Sequence, residues 1–524
     1  MFPVTLWLLS LSSTSAETFL GPDAAITETA TVGELPDLVQ TGIWLENNKT
    51  QSAGVYCCDI MKGVFPDQVF FPDSAEYQAQ QGSYYSLRQS DLHPACRVSP
   101  TSAMDVASIV TFSTQHGCPF AVRSGGHMSW KGSSNVDSSG FTIDLQKMTE
   151  ISVVDDGKVV SFGSGCRWRQ VYSALEPHNL TTSGARIPNV GVSGFLLGGG
   201  ISALSLAHGF ASSSVVNYQV VLADGTIKEV NENNLPDLYW ALKYGSTNFA
   251  IVTRFDMITY PLSDVWAGTL ILDISKGPAL LQFHVDLTAN LAMDPLVVNF
   301  VAFTWDPLQQ TYIIWSPNIY LSPVAYPPPY SDIQTLVADA RHNTMRITDF
   351  LNAIEEIGDM APSAERVEWC TLTLKPDATL LWDIHLKGVE IFEPFVNGTG
   401  FSYSTVSQAL NRRLAAASAN KGGNPTGISA EDGDHLVVLF MASWSDPADD
   451  EQLKEKTQEH CRYSEHTARE RGLLHPFIYM NYASSVQDVM GSLGEETRAR
   501  MRKIKNLYDP ENRFGLYWKG GFKL

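Results

Sequence analysis

The chain is 524 residues long, 44% hydrophobic and 18% charged. At ~150 residues per domain it has room for roughly three units, enough to bury several cores without a disulfide scaffold. Glycine (39) and proline (27) stand at background levels, which excludes collagen-like and low-complexity proteins. The net charge of 36 − 56 = −20 argues against nucleic acid or anionic lipid as a partner, because phosphate binding needs a basic face. What remains is an acidic multi-domain globular protein acting on a small or neutral ligand.

In chain order, residues 2–11 are mostly apolar and lead through small residues to Ser15-Ala16. This pattern predicts a secretory signal peptide over 1–16, too short to span a bilayer, which takes ~20 apolar residues. No later run is long enough to span a membrane. Sequons at Asn48, Asn179 and Asn397 then become glycosylation sites of a secreted protein. Of seven cysteines, Cys57, Cys58, Cys96 and Cys118 cluster early, which suits one or two disulfides. One bond from the vicinal pair to Cys96 or Cys118 is expected, and the odd total leaves at least one thiol unpaired. No CxxC pair occurs, and His460-Cys461 with His466 fits no common zinc spacing, so no metal is expected.

Residues 17–90 are mixed and turn-rich. Ser102 then caps a helical pattern over 103–110. Short strands are predicted over 120–123, 141–145, 158–162, 215–222 and 249–255, with a helix over 168–175. Residues 100–260 thus form one α+β unit. Beyond 262, strands over 266–274, 297–305 and 436–443 alternate with helical patterns, of which 336–357 is one. Residues 323–329 and 421–427 are loops. The aromatic and glycine-rich C-terminus, 514–521, is expected to pack rather than fray.

Three stretches could carry chemistry. Arg123-Ser124-Gly125-Gly126-His127 runs a strand into two glycines and a histidine. Glycines let backbone lie against a flat or anionic ligand, and the histidine can act as ligand, base or nucleophile. The second stretch, 191–200, holds Gly191, Gly194, Gly198, Gly199 and Gly200. It suits close backbone contact to a pyrophosphate, yet it is neither a Rossmann fingerprint, a Walker A loop nor a hydrolase elbow. The third, 237–253, is a short helix turning into a strand. Any one of them alone also reads as an ordinary turn or packing motif.

In this order the three resemble the FAD-binding oxidoreductases of the vanillyl-alcohol oxidase (PCMH-type) superfamily. Within it they are most similar to the berberine-bridge-enzyme-like branch, especially secreted fungal members. Asn135-Val136-Asp137, Gly163-Ser164-Gly165, Tyr508-Asp509-Pro510 and the Tyr-x-Asn-Tyr motif Tyr479-Met480-Asn481-Tyr482 extend the resemblance over roughly 57–515. It implies an α+β fold: a two-subdomain PCMH-type FAD domain plus a substrate domain with an antiparallel sheet covered by helices. The implied boundaries are 17–95 for an N-terminal segment and 96–262 for the FAD domain. The substrate domain takes 263–470, and 471–524 returns to the FAD domain.

The resemblance implies a bond from His127 to the flavin 8α-methyl carbon. Ser124, Gly125, Gly126, Gly191, Ser193, Gly194, Gly198 and Gly199 would hold the pyrophosphate and ribityl chain, with Ile251 and Val252 near the adenine and flavin. Tyr479 and Tyr482 are the expected catalytic bases, and Asn481 positions substrate or flavin. Relatives with a second, cysteinyl flavin link carry cysteine where this chain has Ile187. A single covalent link is therefore expected, which weakens the case for a carbohydrate oxidase. Ser213-Ser214, Tyr244 and Ala250 also depart from the usual pattern, at local cofactor contacts. The implied activity is a secreted, extracellular FAD-dependent oxidase that passes a hydride from a small organic molecule to flavin and then to O2. The alternatives are a flavin-retaining non-redox cyclase, a carbohydrate oxidase, or an inactive binding glycoprotein.

Overall fold

The computed structural model describes residues 52–290, 294–338, 340–360, 365–398, 400–420 and 422–524. The expected leader and Asn48 lie outside these residues. Asn179 and Asn397 are both exposed.

Local sequence sets the first elements. Ser102 Oγ accepts from the Asp105 N–H and the Asp105 carboxylate accepts from the Ser102 N–H, each at 3.1 Å. This reciprocal cap starts helix Ala103–His116, whose Val106, Ile109 and Val110 form a buried stripe at helical spacing. Strand Phe120–Arg123 follows, within a five-stranded sheet ordered Val69–Phe70, Arg97–Val98, Phe141–Asp144, Phe120–Arg123, Trp518–Lys519. All its pairings but the first are parallel. The Ser124–His127 turn therefore emerges at the carboxyl end of parallel strands, where α/β sheets place ligands. The C-terminal aromatics pack as expected, with Phe514 and Trp518 buried.

The strands over 100–260 do not form one sheet. Ile151–Val154, Val159–Gly163, Ile251–Ile258, Val215–Val221 and Ile227–Asn231 make a second, antiparallel five-stranded sheet in that spatial order. The strand expected to begin at Phe249 begins at Ile251. Asn248 is occupied in the preceding turn, donating to the Gly245 carbonyl at 2.9 Å.

The third sheet is antiparallel and nine-stranded. Its long central strands are Asp264–Asp273, Thr311–Tyr320, Val297–Asp306, Ser402–Leu410, His435–Trp444 and Arg366–Leu374. Helices Gly277–Asn290, Ala378–Phe392 and Asp450–Glu470 cover it. The helical pattern over 336–357 is not one helix. Helix Gln334–Val337 gives way to edge strands His342–Asn343 and Arg346–Asp349, which pair with Asp264–Asp273, and helix Phe350–Met360 follows. Sheet-edge pairing of a segment with Thr344, Ile347 and Thr348 overrides the helical apolar spacing.

The vicinal cysteines make two bonds rather than one: Cys57–Cys118 and Cys58–Cys96. Both lie in helix Ala53–Val64, where neighbouring side chains diverge by about 100°, so each reaches a different partner. A third bond, Cys370–Cys461, ties the large sheet to its covering helix Asp450–Glu470 and removes Cys461 from metal ligation. Cys166 is the free thiol, fully buried, with burial pushing it up to about 12.

Candidate functional site

A cavity of about 790 Å³ separates the first two sheets from the large one, within the size range of small-molecule sites. Its floor is glycine backbone. A Cβ on Gly125 would sit 2.5 Å from Gly191 Cα, and one on Gly191 would sit 2.4 Å from Gly125 N. The two segments thus touch back to back, an approach only glycine permits. Ser124 and Ser193 lock them by donating to one acceptor, the Ser164 carbonyl, at 2.7 and 2.8 Å. Gly126 has φ +63°, which turns the chain so that His127 faces the cavity.

His127 is half-buried and stacks on Tyr85, ring centroids 4.0 Å apart and 11° from parallel. Burial, helped by the Arg167 guanidinium, holds its imidazole down at about 4, so the ring is neutral at neutral pH. Tyr85 is placed by the motif arginine. Buried Arg123 donates to the Gln80 and Ser83 carbonyls at 2.6 and 2.9 Å and lies 4.1 Å over the Tyr84 ring. Its charge is met by Asp144 at 3.1 Å, which also faces Arg97 at 3.4 Å. The arginine of the motif is thus structural: it holds the segment that carries the histidine's stacking partner.

Gly194 lines the cavity with nothing within 4 Å of a Cβ built on it, and Ile251 and Val252 line the cavity as well. Gly198 and Gly199, expected at the cofactor, are not in the lining. The stretch 191–200 is not a plain loop: it forms helix Val192–Leu197 and then turns away. A Cβ on Gly198 would meet Asn481 Oδ1 at 2.1 Å, and one on Gly199 the Tyr244 ring at 3.0 Å. These two glycines make room for side chains.

The Tyr-x-Asn-Tyr motif is fastened to this floor. The Ile201 N–H and Asn481 Nδ2 donate to Tyr479 Oη at 2.8 and 3.2 Å, and Asn481 Nδ2 donates to the Phe195 carbonyl at 3.0 Å. Tyr479 is 2% exposed, and burial pushes its phenol well above the ordinary range. It was expected as a base; it lines the cavity as a desolvated phenol whose oxygen already receives two hydrogen bonds. Tyr482 is half-buried in the lining, with Arg186 Nη2 donating to its oxygen at 3.5 Å.

The roof is the inner face of the large sheet. Alternation along the strands points Trp369, Leu439 and Met441 at the cavity, while Cys370 bonds to the covering helix and Phe440 packs on that helix's His460. His460 Nδ1 is paired with the Tyr403 hydroxyl. The roof residues and Tyr85 belong to no motif in the sequence. Ile187, read at the second-link position, was the one legible pointer, and it lines the cavity next to Arg186, which no motif marked.

The site suits FAD. The glycine seam admits a flat or anionic group against backbone, a neutral imidazole faces the cavity, and the buried indole N–H groups of Trp130 and Trp518 in the lining have no partner among the described residues. Comparison with known proteins agrees. Residues 94–231 match the FAD binding domain family. The FAD-dependent monooxygenase drtC of Aspergillus calidoustus is 32% identical over 96% of this chain and 95% of its own. BBE-like 1 of Physcomitrella patens superposes with a TM-score of 0.69 at 20% identity, covering 88% of this chain and 97% of its own. The glucooligosaccharide oxidase of Acremonium strictum, which carries a 6-S-cysteinyl, 8α-N1-histidyl FAD, does so with a TM-score of 0.68 at 20% identity, covering 88% and 97%. The chain belongs to the family of fungal FAD-dependent monooxygenases that includes drtC, carries an FAD binding domain, shares its fold with BBE-like 1, and is an FAD-dependent oxidoreductase.

Proposed function

We propose that this protein is a secreted oxidase of a small organic molecule, with FAD held by a single covalent bond to His127. When bound, FAD supplies a hydride acceptor and a route for the electrons to O2. Residues 96–262 and 471–524 serve the cofactor and 263–470 the substrate. The observation that carries the reading is His127: a neutral imidazole facing the cavity beside a glycine seam, its ring orientation set by Tyr85. Ile187 stands where a second, cysteinyl link would form, and Cys166 is buried outside the lining, which supports one link.

The chain's own side chains then have distinct tasks. Asn481, anchored to the Phe195 carbonyl, fixes the Tyr482 loop. Tyr482 Oη opens on the cavity beside the Arg186 guanidinium and, as the phenolate, takes the substrate's O–H or N–H proton to become the phenol as the adjacent C–H gives up its hydride. The apolar roof keeps water from the reacting carbon. Three disulfides among the described residues, exposed Asn179 and Asn397, and the leader-like N-terminus all support an oxidising, extracellular location.

Acid precipitation followed by tryptic mass mapping tests the cofactor half. The peptide containing His127 carries the flavin mass, and His127→Ala releases all colour to the supernatant. Anaerobic mixing with substrate tests the redox half: the flavin band bleaches for an oxidase and persists for a non-redox cyclase. Similarity to drtC favours a second reading, insertion of oxygen into the substrate. Turnover under labelled O2 separates the two, because an oxidase delivers the label to hydrogen peroxide and a monooxygenase to product.

A further inference from the structure

The chain carries a charge of −20, yet its cavity does not share that sign. Among the described residues the one carboxylate in the lining is Asp359, exposed near the end of helix Phe350–Met360, against two guanidiniums, Arg167 and Arg186. Arg167 belongs to the floor, where it is hydrogen-bonded to the Asn189 carbonyl. Arg186 faces the roof. It lies 5.0 Å over the Phe300 ring, and its Nη2 donates to Gln408 Oε1 and, at 3.5 Å, to Tyr482 Oη. No carboxylate pairs with Arg186 among the described residues.

The groups around it are donors without acceptors. Gln408, which receives the Arg186 N–H, is buried behind the lining; the indole N–H groups of Trp315 and Trp369, both in the lining, are buried with no hydrogen-bond partner among the described residues. A half-buried cation and two idle N–H groups are costly unless something brings acceptor oxygens to them. The rest of this wall is flat and apolar: Phe300, Trp315, Trp369, Val406 and Met441. A sugar brings as many donors as acceptors and would leave these N–H groups in competition with its own hydroxyls. A flat aromatic molecule with an acidic oxygen meets both halves, its ring against the indoles and its oxygen on Arg186.

We propose that the substrate is an aromatic carboxylate or phenolate whose oxyanion is held by Arg186, with Gln408 fixing the guanidinium in place. This rests on the reading of the cavity as a substrate site. It also gives Tyr482 a neighbour: the oxyanion and the Tyr482 oxygen share one guanidinium, so the proton that Tyr482 takes belongs to a different O–H or N–H of the substrate, next to the C–H that gives up its hydride.

The test is equilibrium binding to the flavin-loaded full chain, read by quenching of tryptophan fluorescence and by the shift of the flavin band, with no turnover required. The probes are 2-naphthoate, 2-naphthol across its titration, the neutral isostere 2-naphthamide, and cellobiose. Naphthoate binds at least 10-fold more tightly than naphthamide in wild type, and added salt narrows the gap. Arg186→Gln abolishes the gap, and Arg186→Lys keeps part of it. A tightening of naphthol binding as it ionises marks phenolates as the substrate class; its absence, with naphthoate preferred, marks carboxylates. Equal binding of naphthoate and naphthamide by wild type, or tighter binding of cellobiose, overturns the proposal whether or not the Arg186 variants fold. Failure of the flavin to bleach with any reductant substrate would sink the oxidase reading and leave the naphthoate result standing.

Discussion

The floor of the cavity is made of backbone, the roof of side chains. At the floor, Gly125 and Gly191 approach until no Cβ fits, and the atoms that meet the ligand are peptide groups. At the roof, Trp315, Trp369, Val406, Leu439 and Met441 come from four different strands and line the cavity with side chains. The two walls also differ in charge management. Beneath the floor, Arg97 and Arg123 share buried Asp144, whereas Arg186 under the roof has no carboxylate. A backbone wall tolerates almost no substitution and so binds a constant group. A side-chain wall on a sheet tolerates many and so can be refitted to a new ligand.

The largest effect that would break this contrast is at the seam. Gly191→Val places side-chain atoms where Gly125 backbone already lies, and flavin content should fall more than about 10-fold by the ratio of visible to ultraviolet absorbance, the loss expected when backbone must move in a packed site. Gly63→Ala is the control, because its Cβ meets nothing within 4 Å and it lies in helix Ala53–Val64, outside the cavity lining. It should express and melt like wild type. Equal flavin loss in both variants would mean that glycine content in general, rather than the seam, makes the floor.

Acid should separate the two walls. His284, His385, His435 and His460 all lie in the large sheet or its helices, all are at most 2% exposed, and burial holds each down at about 4. An unfolded histidine titrates near ~6.5. Between those values the unfolded chain binds protons that the folded chain cannot. The stability these neutral rings allow is therefore complete above pH 6.5 and is lost as pH falls toward 4, by several kcal/mol in all. Amide exchange from pH 7.5 to 4.5 should show strand His435–Trp444 losing protection before strand Phe120–Arg123. Simultaneous loss would mean that the two halves unfold as one unit and the histidines do not set the order.

The same contrast explains what could be read from the sequence. Floor strands Phe120–Arg123 and Phe141–Asp144, helix Trp168–Leu175 and the glycine motifs stand in the sequence nearly where they stand in the fold, because backbone contact demands particular residues at particular places. Roof strands Arg366–Leu374 and His435–Trp444 are buried along their whole length on both faces, so no alternation marks which residues face the cavity. Tyr85 was invisible for another reason: its role depends on Arg123 gripping carbonyls some 40 residues upstream, a contact with no local pattern. Cys370 and Cys461 are 91 residues apart and meet only once a sheet and its helix have packed. The Tyr479–Tyr482 motif was recognisable and both tyrosines line the cavity, yet the burial that sets Tyr479 apart from half-buried Tyr482 is not encoded by spacing.

That motif follows the roof in sequence but is bonded to the floor, and Tyr244 is the seam between them. Its hydroxyl donates to the Ile478 carbonyl at 2.9 Å and accepts from the Met480 N–H at 2.7 Å, while its ring fills the space over Gly199. A glycine at this position could make neither bond. Tyr244→Phe leaves the ring in place and strands two buried backbone groups, which costs about 1–3 kcal/mol where no water replaces the hydroxyl. Urea unfolding should show a loss in that range with unchanged flavin content, and the Met480 amide should exchange faster. If exchange at Met480 is unchanged, the bonds from Ile201 to Tyr479 and from Asn481 to Phe195 hold the loop by themselves, and Tyr244 only fills the space over Gly199.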